Sequence, residues 1–170
     1  MIEPDMSWRW QCSGTQLQLI SDDFCQWVTP LQNGQWRCDD AAFTLQHAEW
    51  FYQTWFALEP LHWPHSALLA ATTDAIARLS FCAGIMSRNF YLKPIAGHWQ
   101  PQPLSLVELA GQHYALALVL RVHAGDVDLM LLSPLETITG KQLTAGQVFN
   151  CRYDRITPYQ PHVDQPRLTA

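Results

Sequence analysis

Lysine is nearly missing from this chain: two of 170 residues are lysine, charged residues of all kinds make up 15%, and Lys and Arg never occur in a run. A non-specific nucleic-acid binder neutralises phosphates with clustered bases, so that class, including binding through the second, barrel-like half, is disfavoured, and an acidic membrane surface is an equally poor partner. The shortage is also uneven. Residues 1–92 hold four arginines against nine acids, a balance of −5, whereas residues 93–170 balance to zero. Long apolar runs are lacking too, and Met1-Ile2-Glu3-Pro4-Asp5 has neither the basic flank nor the apolar stretch of a signal peptide. The sequence therefore predicts a soluble, cytoplasmic protein.

Catalytic signatures are absent as well. There is no phosphate-binding G-x-x-x-x-G-K-[ST] loop, no dinucleotide-binding glycine motif, no G-x-S-x-G elbow and no H-E-x-x-H helix. The five cysteines (Cys12, Cys25, Cys38, Cys82 and Cys151) form no C-x-x-C pair, and an odd number fits reduced, packed thiols better than a disulfide framework or a zinc site. Cys25 has no base nearby in sequence to lower its pKa and is assigned to the core. His62-x-x-His65 resembles a metal pair, but it lies beside Pro64 and would need donors from elsewhere to complete four-coordination. Asp126-x-Asp128 could bind a cation or act as acid and base if a third group converged on it; a polar hairpin turn is the simpler reading. No cofactor or metal is expected, and the chain reads as a non-enzyme.

What is abundant is apolar and aromatic surface: 48% of residues are hydrophobic and eight are tryptophan. Seven of these (Trp8, Trp10, Trp27, Trp36, Trp50, Trp55 and Trp63) precede residue 92. Most must form the core, with one or two available to line a groove. Alternation over 8–12 and 16–21 around Ser13-Gly14-Thr15 predicts a hairpin, and a third short strand is placed at Gln35–Cys38 after Asn33-Gly34. Asp39-Asp40 is read as a helix cap or turn. Ala48, Phe51, Trp55 and Leu58, widened by Tyr52 and Phe56, predict a helix over Leu45–Leu58 that Glu59-Pro60 stops. Pro64 opens a second helix, buried along Leu69, Ile76, Leu79, Ala83 and Met86, to about residue 87.

The proline-rich stretch 93–103 then marks a domain boundary. Beyond it come strand-like runs at 104–109, 113–122, 127–132, 137–138 and 148–156, with a tail extended or frayed from Thr157. The fold class is thus α+β: a first domain (1–92) with two helices on a small antiparallel sheet, and a second (93–170) that is a small antiparallel, barrel-like sheet.

Ile2-Glu3-Pro4-Asp5, Trp8-Arg9-Trp10, Asp39-Asp40-Ala41-Ala42 and Tyr91-Leu92-Lys93-Pro94 with Trp99 after it form an ordered series. Gly140, Leu143 and Gly146 continue it, and Asp154-Arg155 with Pro158 ends it. In order, spacing and total length this series resembles the ZapC family of bacterial cell-division proteins across nearly the whole chain. The resemblance implies an α/β domain followed by a β-barrel-like one. It also implies a factor that binds the tubulin-like protein FtsZ, promotes lateral bundling of its protofilaments, lowers its GTP turnover and sits at the mid-cell division ring. Lys93 falls where the family's Tyr-Leu-Lys-Pro motif places a basic residue important for FtsZ. The family's second lysine, shortly before the tryptophan, is replaced here by Ala96-Gly97-His98. Partner-binding residues expected on this basis are Lys93, Arg88, His98 and Trp99, in a monomer or weak homodimer. A small-molecule binder or enzyme using an aromatic pocket in the first domain is the competing reading.

Overall fold

The computed structural model describes residues 3–5, 7–22, 26–31, 40–82, 91–95 and 99–161. The strand expected at Gln35–Cys38 lies outside these residues. The fold is α+β: two helices lie between a four-stranded and a five-stranded antiparallel sheet.

The first sheet has the order β3-β2-β1-β4. Strands β1 (Arg9–Ser13) and β2 (Gln16–Ile20) form the expected hairpin. Its turn needs Gly14, which sits at φ +61, where a side chain is strained. Strict alternation leaves Arg9 exposed while Trp8 and Trp10 are buried. Two short strands, β3 (Gln26–Val28) and β4 (Ala41–Ala42), were not expected; pairing with β2 and β1 creates them. Asp40 caps no helix. Its Oδ1 accepts the Cys12 amide (2.9 Å), tying β4's approach to β1.

Helix α1 (Leu45–Leu58) has the bounds its apolar period predicts. Thr44 is the cap: its hydroxyl accepts the His47 amide while His47 Nδ1 accepts the Thr44 amide, a reciprocal box with histidine in place of the usual Glu or Gln. Phe51, Trp55 and Leu58 are buried as expected, but Phe56 is 55% exposed and does not widen the stripe. A single 3₁₀ turn over Glu59–Leu61 then reverses the chain. Helix α2 (His65–Phe81) begins directly after Pro64, and Cys82 ends it, its amide donating to Arg78 O (3.3 Å). The continuation expected to residue 87 lies outside the described residues. Every residue from Thr72 to Ala77 is buried, so α2 is covered on all sides rather than along one stripe.

The second sheet explains that burial. Its order is β10-β7-β6-β5-β11, from β5 (Leu106–Ala110), β6 (Tyr114–Val122), β7 (Asp126–Leu131), β10 (Val148–Arg152) and β11 (Ile156–Pro158). Leu104, Leu106, Leu118, Leu120 and Met130 on one face join Trp8, Trp10, Phe51, Trp55 and Ile76 in one buried cluster that crosses residue 93. The opposite face, including Val107, Leu109, Val119, Leu129, Phe149 and Ile156, makes a second cluster. Each buried aromatic removes roughly 150–250 Å² from water, about 4–6 kcal/mol at 25 cal/mol/Å².

Two expectations for this half are corrected. The run 148–156 is not one strand: a 3₁₀ turn at Tyr153–Arg155 splits it, and β10 and β11 lie on opposite edges of the sheet. Three residues can bridge opposite edges only if the sheet curls, which gives a barrel-like form whose two edge strands are not hydrogen-bonded to each other. The strand expected at 137–138 is instead a turn, between β8 (Leu135–Glu136) and β9 (Gln142–Leu143). The tail is paired as far as Pro158. Leu104 takes φ +58 with its side chain buried, so strand geometry starts only at Leu106. Among the described residues no helix is long and apolar enough to cross a membrane.

Candidate functional site

Lys93 lies on a segment that seals one end of the curled sheet. The Lys93 amide donates to Ala110 O (2.8 Å), the Ile95 amide to Asp154 O (2.8 Å), and the Ile138 amide to Tyr91 O (3.0 Å). Arg155 Nη1 donates to Leu92 O (2.7 Å), and the Leu92 side chain enters the second cluster, 1% exposed. Residues 91–95 are therefore held by four backbone anchors while the Lys93 side chain points to solvent. Trp99 is half-buried and packs against the same cluster. Arg88 and His98 lie outside the described residues.

Among the described residues, three of the six exposed large hydrophobics are gathered at this end: Tyr91, Tyr114 and Ile138. Tyr114 opens β6 directly opposite Ala110, the acceptor of the Lys93 amide. Ile138 starts a turn whose far end is Lys141, the chain's other lysine; the Thr137 amide donates to Lys141 O (2.9 Å) and the Lys141 amide to Thr137 Oγ1 (3.0 Å). Gly140 supplies the positive φ (+81) that closes this turn. Both lysines of the protein thus flank one partly apolar rim. Asp154 nearby is engaged by Arg152 (3.3 Å) and Arg155 (3.4 Å). The sequence motif holds Tyr91 and Lys93, whereas Tyr114, Ile138 and Lys141 come from segments 21 to 48 residues away that only the fold unites.

The Asp126-x-Asp128 pair has become part of a buried polar hub. Across β6, β7 and β10, Arg121, Asp128 and Asn150 are in register. Between Val119 and Arg121 the ladder shifts by one residue, a bulge that turns both Leu120 and Arg121 to the helix side. Arg121 Nη2 there donates to the carbonyls of Arg78 (3.3 Å), Leu79 (2.9 Å) and Cys82 (3.3 Å) at the carboxyl end of α2. Asp128, 3% exposed, has Oδ1 bonded to Asn150 Nδ2 (3.1 Å) and Oδ2 beside His123 Nε2 (3.0 Å) and Arg121 Nη1 (3.9 Å). A third group does converge on the carboxylate, yet its partners run to the helix end and neighbouring strands, which is the pattern of a structural clamp. On α2 itself, Asp74 pairs with Arg78 (2.9 Å); burial raises the Asp74 pKa, against the lowering pull of Arg78.

The remaining candidates separate. His62 and His65 are both exposed, His65 lies edge-on to the Trp55 ring, and among the described residues no group of three or more metal-binding side chains occurs. Cys82 and Cys151 are free thiols, with Cys151 pushed up to about 12 chiefly by burial; Cys25 and Cys38 lie outside the described residues. Of the described tryptophans, Trp8, Trp10 and Trp55 are buried and Trp27, Trp50, Trp63 and Trp99 half-buried. Comparison with protein-family models gives no match, and comparison with curated proteins gives none either.

Proposed function

We propose that this protein is a non-enzymatic division factor that binds FtsZ filaments through the Lys93 rim and holds them side by side at the mid-cell ring. The reading starts from the ZapC-like landmarks of the sequence. One observation supports it most: in a chain of net charge −5, both lysines and three of the six exposed large hydrophobics among the described residues lie on the 91–95 segment, the β8–β9 turn and the adjoining end of β6. Exposed aromatic and apolar side chains are enriched where proteins dock, and charges beside them steer the encounter and select the partner. The landmarks Tyr91-Leu92-Lys93-Pro94 and Asp154-Arg155, 60 residues apart in sequence, also meet there through the Arg155 bond to the Leu92 carbonyl. Contacts repeated along two filaments turn weak single associations into strong ones, and cross-links that slow subunit exchange lower GTP turnover.

The test is co-sedimentation with FtsZ polymerised by GTP, with filament width read by electron microscopy. The wild-type chain is expected to pellet and to thicken filaments. Lys93→Glu is expected to weaken pelleting roughly 5- to 30-fold, since reversing one exposed charge changes an interface by about 1–2 kcal/mol. Unchanged pelleting of that variant removes Lys93 from the contact. A wild-type chain that leaves FtsZ in the supernatant sinks the whole reading.

A further inference from the structure

We infer that the occupant of this rim is an extended polypeptide segment in which carboxylates flank an apolar side chain, with Lys141 as the second cation opposite Lys93. The inference rests on the assignment of the rim as a docking surface and adds the chemistry of what docks there. Charge complementarity sets the sign. Lys93 follows Tyr91 by two residues and Lys141 follows Ile138 by three, with Tyr91 and Ile138 joined by a backbone bond, while the nearby Asp154 is engaged by two arginines and Glu136 is half-buried. The interior of the rim is apolar, so a ligand made of charge alone leaves Tyr91 and Ile138 exposed.

The geometry sets the length. Lys93 is two residues from Tyr91, Tyr91 is bonded to Ile138, and Ile138 is three residues from Lys141. At about 3.3 Å per extended residue and about 4.8 Å between bonded strands, the two lysine backbones are at most about 21 Å apart. Carboxylates three to six residues apart on an extended segment come within reach of both side chains. The backbone on each side is fixed beforehand, Lys93 by Ala110 and Lys141 by the fully buried Thr137. Binding therefore orders few protein atoms beyond the two lysine side chains.

The probe is a fluorescein-labelled nonapeptide of glycine and serine with two aspartates around a central phenylalanine, titrated with the full chain at low salt and followed by anisotropy. Saturable binding is expected, weakened at least five-fold by Lys141→Glu, by Lys93→Glu and by Ile138→Ser, and weakened as salt rises. A matching peptide with lysines for the aspartates is expected not to bind, and one with alanine for the phenylalanine to bind at least five-fold less. Urea midpoints of the variants, whose side chains are exposed, check that they fold.

The inference is overturned if the acidic peptide is ignored, if Lys141→Glu binds it as the wild type does, or if the lysine peptide binds equally. A dimer in sedimentation equilibrium that Lys141→Glu abolishes also overturns it, since the occupant is then a second copy. The two readings fail separately. A chain that pellets with FtsZ but ignores the acidic peptide loses only the occupant, and a chain that takes the peptide but ignores FtsZ loses only the filament.

Discussion

Replacing Arg121 with methionine keeps the side-chain stem and removes the guanidinium that joins the second sheet to α2. One near-ideal bond, to the Leu79 carbonyl at 2.9 Å, and two longer ones at 3.3 Å are lost. Hydrogen bonds from a charged donor contribute about 1.5–3 kcal/mol, and a cation at a helix carboxyl end adds about 0.3–1 kcal/mol. Asp128 also loses its cation at 3.9 Å, although Asn150 and His123 still satisfy it. The expected destabilisation is about 3 kcal/mol. For a chain of this size that lowers Tm by roughly 6–12 °C. Urea unfolding at pH 7, followed by tryptophan fluorescence and far-UV circular dichroism, measures it. The indoles before residue 92 report the first sheet and α1, and backbone ellipticity reports both halves. A loss under about 1 kcal/mol with coincident transitions refutes the clamp. Two separated transitions in the variant alone show that Arg121 couples the halves.

Burial lowers the His47 pKa, so the unfolded chain binds more protons near pH 6 and stability falls as pH drops below about 6.5. The slope attributable to this residue is at most about 1.4 kcal/mol per pH unit, and His47→Gln, which retains a capping-box acceptor, is expected to remove it; equal slopes in both proteins reject His47 as the source. A Cβ at Gly111 would lie 2.0 Å from Glu136 O, so Gly111→Ala is expected to cost about 1–3 kcal/mol or more in chemical denaturation as the β5–β6 turn is forced off β8. Gly14→Ala, with open space around it but φ +61, is expected to cost about 1–2 kcal/mol. Phe51→Ala is expected to cost about 3–5 kcal/mol and Phe56→Ala under about 0.5 kcal/mol, a contrast that comparable losses would contradict.

Legibility followed the range of the forces involved. Helix α1 was readable to its ends because its apolar period and Pro60 are local signals. Gly14 fixed the first hairpin for the same reason, and β6 and β7 followed from their length. Strands β3 and β4 have three and two residues, and only their partners make them strands. The Thr44 box escaped because His47 occupies the place of the expected acid or amide, while Asp39-Asp40 offered a better-looking cap one turn early. The separation of β10 from β11 depends on how far the sheet curls, which alternation does not encode. Of the rim, Lys93 was found, while Tyr114, Ile138 and Lys141 needed the tertiary pairing that brings them together.

The complete enclosure of α2 between Thr72 and Ala77 bears on how the chain is made and handled. A fragment ending near residue 92 would present the underside of that helix to water. One beginning at residue 93 would do the same with Leu104, Leu106, Leu118, Leu120 and Met130. Both would be sticky, and a ribosome releasing the first half has to wait for the second before the helix finds its last neighbour. Amide protons in the middle of α2 should accordingly be the slowest in the molecule to exchange, opening only when everything else has come apart.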